Sequence, residues 1–320
     1  MNPIARAVLV FALAVLPAAA LAQTYPSKPI RFVVPFPPGG GVDVTVRTVA
    51  QKMGESLGQQ IIVDNRAGAS GIIGAEFVAK SAPDGYTIMG TTSGHTILPH
   101  LQKVPWDPIK DFTPITALVT YQLLLSVHPS VPANSLQELI ALAKAKPGVL
   151  NYGTGGAGTP PHLAMELLKS TAGVDIVHVP YKGNALVTAA LMSGEIQASF
   201  DTMIGPLRGV RAGRLRGLAV SGKRRSIIAP EIPTVAEAGL KGYEFEGWTG
   251  VFGPAGMPRE IVDRLNSEIA KALAIPDIKE RLIAAGYEPS GEPADKFAAL
   301  VSADLAKMGK IVKGGGIQPN

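Results

Sequence analysis

Apolar and polar positions alternate along the chain between two short patterns. Residues 30–34 form an apolar, partly β-branched run interrupted by Arg31, after which apolar residues recur at Val46, Val49, Ala50 and Met53. The first pattern suits a buried strand and the second an amphipathic helix. Between them lie Pro35, Pro37, Pro38, Gly39, Gly40 and Gly41, and Asp43 opens the helical segment. The same unit of strand, glycine-rich loop and helix returns. Residues 60–63 lead through the loop 64–71 into a helical pattern at 72–79, and 149–152 lead through 153–161 into one at 162–168. A third strand at 86–89 ends in Gly90, Thr91, Thr92, Ser93, Gly94 and His95.

Further strands are predicted at 115–119, 123–127, 176–180, 196–200, 215–220 and 246–252, and further helices at 135–144, 185–192, 259–274, 279–284 and 296–308. Residues 98–113 are irregular and rich in proline. This alternation predicts an α/β fold with largely parallel sheets, whose strand-end loops share the carboxyl edge where ligands bind. Glycine loops at helix N-termini turn main-chain N–H groups outward and favour an anion.

The first 22 residues read as a signal peptide. Arg6 supplies the charged region, 7–16 the apolar region, and Ala20-Leu21-Ala22 the small-residue cleavage pattern. The apolar run is too short to span a bilayer, and no later stretch is long enough, so an exported, periplasmic protein without direct membrane insertion is expected. The mature chain of 298 residues (320 minus 22) is long for one core and predicts two lobes. The expected division is 23–120 for the first lobe, 121–230 for the second, and 231–320 as a return to the first. Cysteine is absent, which excludes disulfides, thiolate metal sites and a cysteine nucleophile. Without Arg6 the formal charge falls from +5 to +4. The arginines at 208, 211, 214, 216, 224 and 225 have no interleaved aromatics, so nucleic acid is not an expected partner. No association stripe is visible, so a monomer is expected.

Gly153-Thr154-Gly155-Gly156-Ala157-Gly158 is formally GxGxxG, but the next strand does not end in the acid of a dinucleotide site. No glycine loop is followed by Lys-Ser/Thr, and the five histidines form no metal-binding spacing, so neither a cofactor nor a metal is expected. A hydrolase using Ser70 or Ser93 with His162 is the alternative chemistry, although neither serine lies in a GxSxG elbow.

PFPPGGGVD at 35–43, NRAGASGIIG at 65–74, PDGYT at 83–87, NYGTGGAGTPPHLAMELL at 151–168, HVPYKG at 178–183 and PEIPTVAEAG followed by Trp248-Thr249-Gly250 span the mature chain in order. Together they resemble the extracytoplasmic solute receptors of tripartite tricarboxylate transporters, the Bug family. The resemblance implies a type II periplasmic-binding-protein fold, two α/β lobes around a hinged cleft. It also implies no catalytic activity, a small organic carboxylate as ligand, and membrane permease subunits as partners; a sensing role beside a membrane signalling protein is the other use of such a receptor. Carried over by position, it points to Phe36, Gly40, Gly41, Ala69, Ser70, Gly156, Ala157, Thr159, His162, Tyr181, Lys182 and Asp201 as ligand-binding residues. Phe36 and Tyr181 are expected as cleft walls. Lys182 pairs with a second carboxylate or sits on the rim, and Asp201 reads a ligand hydroxyl or ammonium or caps its turn. Pro160 and Pro161 depart from the family pattern, because each removes an N–H donor.

Overall fold

The computed structural model describes residues 25–181 and 183–314. The expected signal peptide and Lys182 lie outside the described residues. In chain order the elements are β1 (Ile30–Val34), α1 (Gly41–Leu57), β2 (Ile61–Asn65), a 3-10 turn (Ala69–Gly71), α2 (Ile72–Ala79), β3 (Thr87–Thr92), α3 (Gly94–Leu101), β4 (Phe112–Tyr121), β5 (Leu123–Val127), α4 (Leu136–Ala145), β6 (Asn151–Thr154) and α5 (Pro160–Ala172). There follow β7 (Val177–Pro180), α6 (Asn184–Ser193), β8 (Ala198–Thr202), α7 (Ile204–Arg211), β9 (Arg216–Val220), β10 (Gly247–Pro254), α8 (Arg259–Ala274), α9 (Pro276–Ala284), β11 (Tyr287–Pro289) and α10 (Ala294–Gly314).

Two sheets form. The first has the order β11-β4-β10-β3-β1-β2, the second β7-β6-β8-β5-β9. β1 sits between β2 and β3 in parallel pairing, which explains its apolar content: four of its five residues are buried, and the exposed one is Arg31. α1 covers this sheet with Val42, Val46, Val49, Ala50 and Met53 and stops at Gly58, in the left-handed region at φ 64°. α8 and α9 bury Leu265, Ile269 and Leu282 in the same core.

One residue, Gln122, joins β4 of the first sheet to β5 of the second. β4 runs parallel to β3, because both pair antiparallel with β10, so Tyr121 lies on the carboxyl edge of the first sheet. Leu123 pairs with Thr202, the last residue of β8, so it lies on the carboxyl edge of the second. The short crossing therefore turns the two carboxyl edges, with all their strand-end loops, toward each other.

The return crossing comes later than residue 231. Val220 bridges Thr234, Phe245 N–H donates to Ser221 O, and Val235, Tyr243 and Phe245 fill the second-lobe core. The chain re-enters the first sheet only at Gly247, because the apolar residues of 232–245 are buried against the second. α10 also departs from the expected return to the first lobe. Its Phe297 and Val301 pack in the first-lobe core beside Trp248, whereas Met308, Ile311 and Val312 belong to the second-lobe core. At the changeover the buried carboxylate of Asp304 accepts from Thr96 Oγ1 at 2.6 Å and from Trp248 Nε1 at 3.1 Å. α3, α7 and β11 were not expected from the pattern. Among the described residues no helix is long and apolar enough to cross a membrane.

Candidate ligand-binding cleft

The first lobe brings the 35–41 loop to the mouth of its sheet. Gly39 N–H donates to Asp43 Oδ2 at 2.8 Å, and the same carboxylate accepts from Arg47 Nε at 3.0 Å and Asn65 Nδ2 at 2.9 Å. Burial pushes the Asp43 carboxyl up, but these hydrogen bonds and the guanidinium outweigh it and hold the group below the usual carboxylate range. Asn65 Nδ2 also bonds Phe36 O, which ties the loop to β2. The N-terminus of α1 has no side-chain cap, since its N-cap is Gly40.

The neighbouring turn is the most strained backbone in the described chain. Gly68, Ala69, Ser70 and Gly71 all have positive φ, at 139°, 45°, 56° and 98°. Left-handed Ala and Ser cost roughly 1–2 kcal/mol each, which marks a place where the direction of N–H groups matters more than local stability. The turn packs on the first loop, with Gly71 facing Pro35 and the Phe36 ring.

The second lobe repeats the device with different chemistry. Gly158 N–H donates to Nδ1 of His162 at 2.9 Å, Thr154 Oγ1 donates to Gly156 O at 3.0 Å, and Thr159 Oγ1 donates to Gly156 O at 2.8 Å. His162 is buried and stacks on His178 at 4.0 Å between ring centroids. Burial lowers both imidazoles to about 4, so they are neutral at pH 7. His162 thus acts on the loop as an acceptor. Its Nδ1 pins Gly158, and the proton of the neutral ring then sits on Nε2.

Asp201 is also buried. It accepts from Asn184 Nδ2 at 2.6 Å, Thr202 N–H at 2.7 Å and Thr188 Oγ1 at 3.2 Å, and burial raises it to about 6. It holds Asn184, the first residue of α6, against the 155–156 loop, where a Cβ on Gly155 would collide with Asn184 Oδ1. Tyr181 does not form a cleft wall. Its hydroxyl donates to Glu195 at 2.7 Å, beyond the C-terminal end of α6, and its ring packs with Val187 and Ile196. α6 points its N-terminus at the carboxyl edge, so Glu195 draws the phenol toward the far side of the lobe.

Among the described residues, the N–H groups of Gly40, Ala69, Ser70 and Ala157 have no acceptor. All four belong to residues expected in the site, on both lobes and at facing edges. Two groups were missed. Tyr287 stands on the carboxyl edge opposite Tyr121, and Ser93, buried at the end of β3, has no partner for its hydroxyl among the described residues.

The family model described as the tripartite tricarboxylate transporter family receptor matches residues 45–317. The chain belongs to this family. The protein BugT of Bordetella pertussis is 34% identical over 295 residues, covering 91% of this chain and 90% of that one. Among solved structures, R. palustris Rpa4515 with adipate is 37% identical with a TM-score of 0.81, covering 92% of this chain and all of that chain. MatC from Rhodopseudomonas palustris with bound malate is 30% identical with a TM-score of 0.77, covering 90% of this chain and all of that chain.

In this receptor the type II periplasmic-binding architecture accounts for the site. The chain crosses between the lobes at Gln122 and Glu246, and rotation about such short crossings brings the facing strand-end loops together. The hydrolase alternative finds no support in the geometry. The hydrogen bonds of the described residues include none from Ser70 or Ser93 to His162, and His162 Nδ1 is already occupied by Gly158.

Proposed function

We propose that this receptor captures a small organic carboxylate between its lobes in the periplasm, as a monomer and without chemical conversion, and presents the closed form to the permease subunits of its transporter. The observation that carries the reading is the set of unspent N–H groups at Gly40, Ala69, Ser70 and Ala157 on facing edges. Each donor is uncharged, so water competes poorly only after closure removes it from the cleft. Four hydrogen bonds to a charged acceptor, at roughly 1.5–3 kcal/mol each, together reach the ~8 kcal/mol that micromolar affinity requires.

Adipate and malate, bound by the two relatives, set the size range: acids of about four to six carbons. The second lobe narrows it further. Pro160 and Pro161 remove two N–H donors from the first turn of α5, so the terminal carboxylate is held mainly by the first lobe, with Ala157 as the second lobe's contribution.

A thermal-shift screen of residues 23–320 against small mono-, di- and tricarboxylates and their neutral amides tests the reading. A ligand at a hundred times its dissociation constant stabilises by ~2.7 kcal/mol. Shifts confined to one class of acids are expected. Equal shifts with acids and amides, or none with any acid, would contradict it.

A further inference from the structure

We infer that the Tyr287 hydroxyl reads the bound carboxylate at the N-terminus of α1. The inference rests on the carboxylate reading above. β11 is an edge strand of three residues, and its pairing sets Tyr287 opposite Tyr121, on the carboxyl edge beside the crossing. The hydroxyl lies against Gly41, the first residue of α1: a Cβ there would collide with Tyr287 Oη. This is the physical reason for glycine at 41, whose backbone is otherwise ordinary helix. Among the described residues the hydroxyl has no hydrogen-bond partner, although it stands where the helix dipole gathers negative charge. Burial raises the phenol above its ordinary value, so it remains a neutral donor at pH 7.

The same short segment touches each part that moves. The Tyr287 ring meets Tyr121 edge-on, with centroids 6.0 Å apart. Tyr121 in turn lies over Gly247, where the chain re-enters the first sheet. Gly286 faces the second lobe, and a Cβ on it would stand 3.1 Å from Met203 Cβ and 3.5 Å from Ile204 Cγ1, at the start of α7. A carboxylate at Gly41 thus contacts a side chain that packs on Tyr121, beside the Gln122 crossing, and follows a glycine that adjoins the opposite lobe.

Tyr287→Phe removes only the hydroxyl. Titrating wild type and variant with succinate, malate, glutarate and adipate is expected to show about a tenfold or larger loss of affinity, the size of one hydrogen bond to a charged group, for whichever of these acids the wild type binds. Affinity for the matching diamides and the apo melting temperature should be unchanged. Gly41→Ala displaces the same hydroxyl from the other side and is expected to lose as much. The double variant should lose no more than either single one, because both remove one interaction. If Tyr287→Phe fails to fold, Gly41→Ala carries the test. Acid affinity unchanged in the single variants, or additive losses in the double, overturns the inference and leaves the receptor reading intact. A wild type that binds none of the four acids overturns the carboxylate reading, and the inference falls with it.

Discussion

Gly158 donates its N–H to Nδ1 of His162 four residues on, as Gly39 donates to Oδ2 of Asp43 four residues on. His162 and Asp43 are each the third residue of their helix. Both lobes thus face one problem, a glycine loop that must stay open in front of a helix whose end is reserved for a ligand, and solve it with one acceptor at one position. The acceptors differ in kind. Asp43 is charged and balanced by Arg47, whereas His162 is neutral, so the second lobe's pin is lost by taking up a proton as pH falls toward 4.

His162→Phe keeps a ring in the stack on His178 but leaves Gly158 N–H without an acceptor. A buried donor left unpaired costs about 1–3 kcal/mol. Chemical denaturation is expected to show a loss of that size, and titration with adipate or malate a weakening of about tenfold. A variant with normal stability and unchanged affinity would remove the pin from the account.

The histidines also set the response to acid. Their pKa values, lowered to about 4 from 6.5, contribute stability that is present above pH 6.5 and is lost as pH falls toward 4, because the unfolded chain binds the protons first. Asp201, raised to about 6, acts the other way: it favours the fold as pH falls through 6, as does the buried Asp304. Each histidine shift of ~2 units is on the order of 3 kcal/mol, and with the buried His95, likewise lowered to about 4, three histidines outweigh the two aspartates. The melting temperature should therefore fall between pH 6.5 and 4. The fall should be steeper in Asp201→Asn and shallower in His178→Gln. The reverse order in a pH series of melting curves would contradict the assignment.

Asp304 joins the first lobe to the helix that enters the second. Asp304→Ala strands Trp248 Nε1 in a buried site, while Thr96 Oγ1 keeps Ser93 O as acceptor, at an expected cost of about 1–3 kcal/mol. Since α10 is shared between two cores, the loss should appear as one cooperative transition in denaturation followed by tryptophan fluorescence. Two separated transitions would show that α10 does not bind the lobes together.

The strand, glycine loop and helix units were legible because their signals are local: an apolar run, three glycines and a helical period at 30–53. The family motifs then named Gly40, Ala69, Ser70 and Ala157, whose N–H groups have no acceptor among the described residues. Orientation was less legible. Tyr181 follows a strand as a cleft residue would, yet a bond to Glu195, fourteen residues on, turns it outward. His162 heads a helix at the site, but its role depends on the shape of the loop before it. Tyr287 was invisible because a three-residue edge strand has no period, and its neighbours Gly41 and Tyr121 are more than 160 residues away in sequence. α3 was hidden by Pro99 inside it, and the end of the second lobe by 232–245, an irregular stretch whose burial comes only from the assembled core.

The central claim is that both lobes read an acid through main-chain N–H groups. Isothermal titration of residues 23–320 with adipate and malate, in the wild type, Gly40→Asp and Ala157→Asp, tests it most directly. Asp at position 40 would cap α1 itself, and Asp at 157 would set a second anion across the cleft. The account predicts binding of at least one of these acids by the wild type and its loss in both variants. Wild-type affinity in either variant would contradict it, because one lobe would then contribute nothing to recognition.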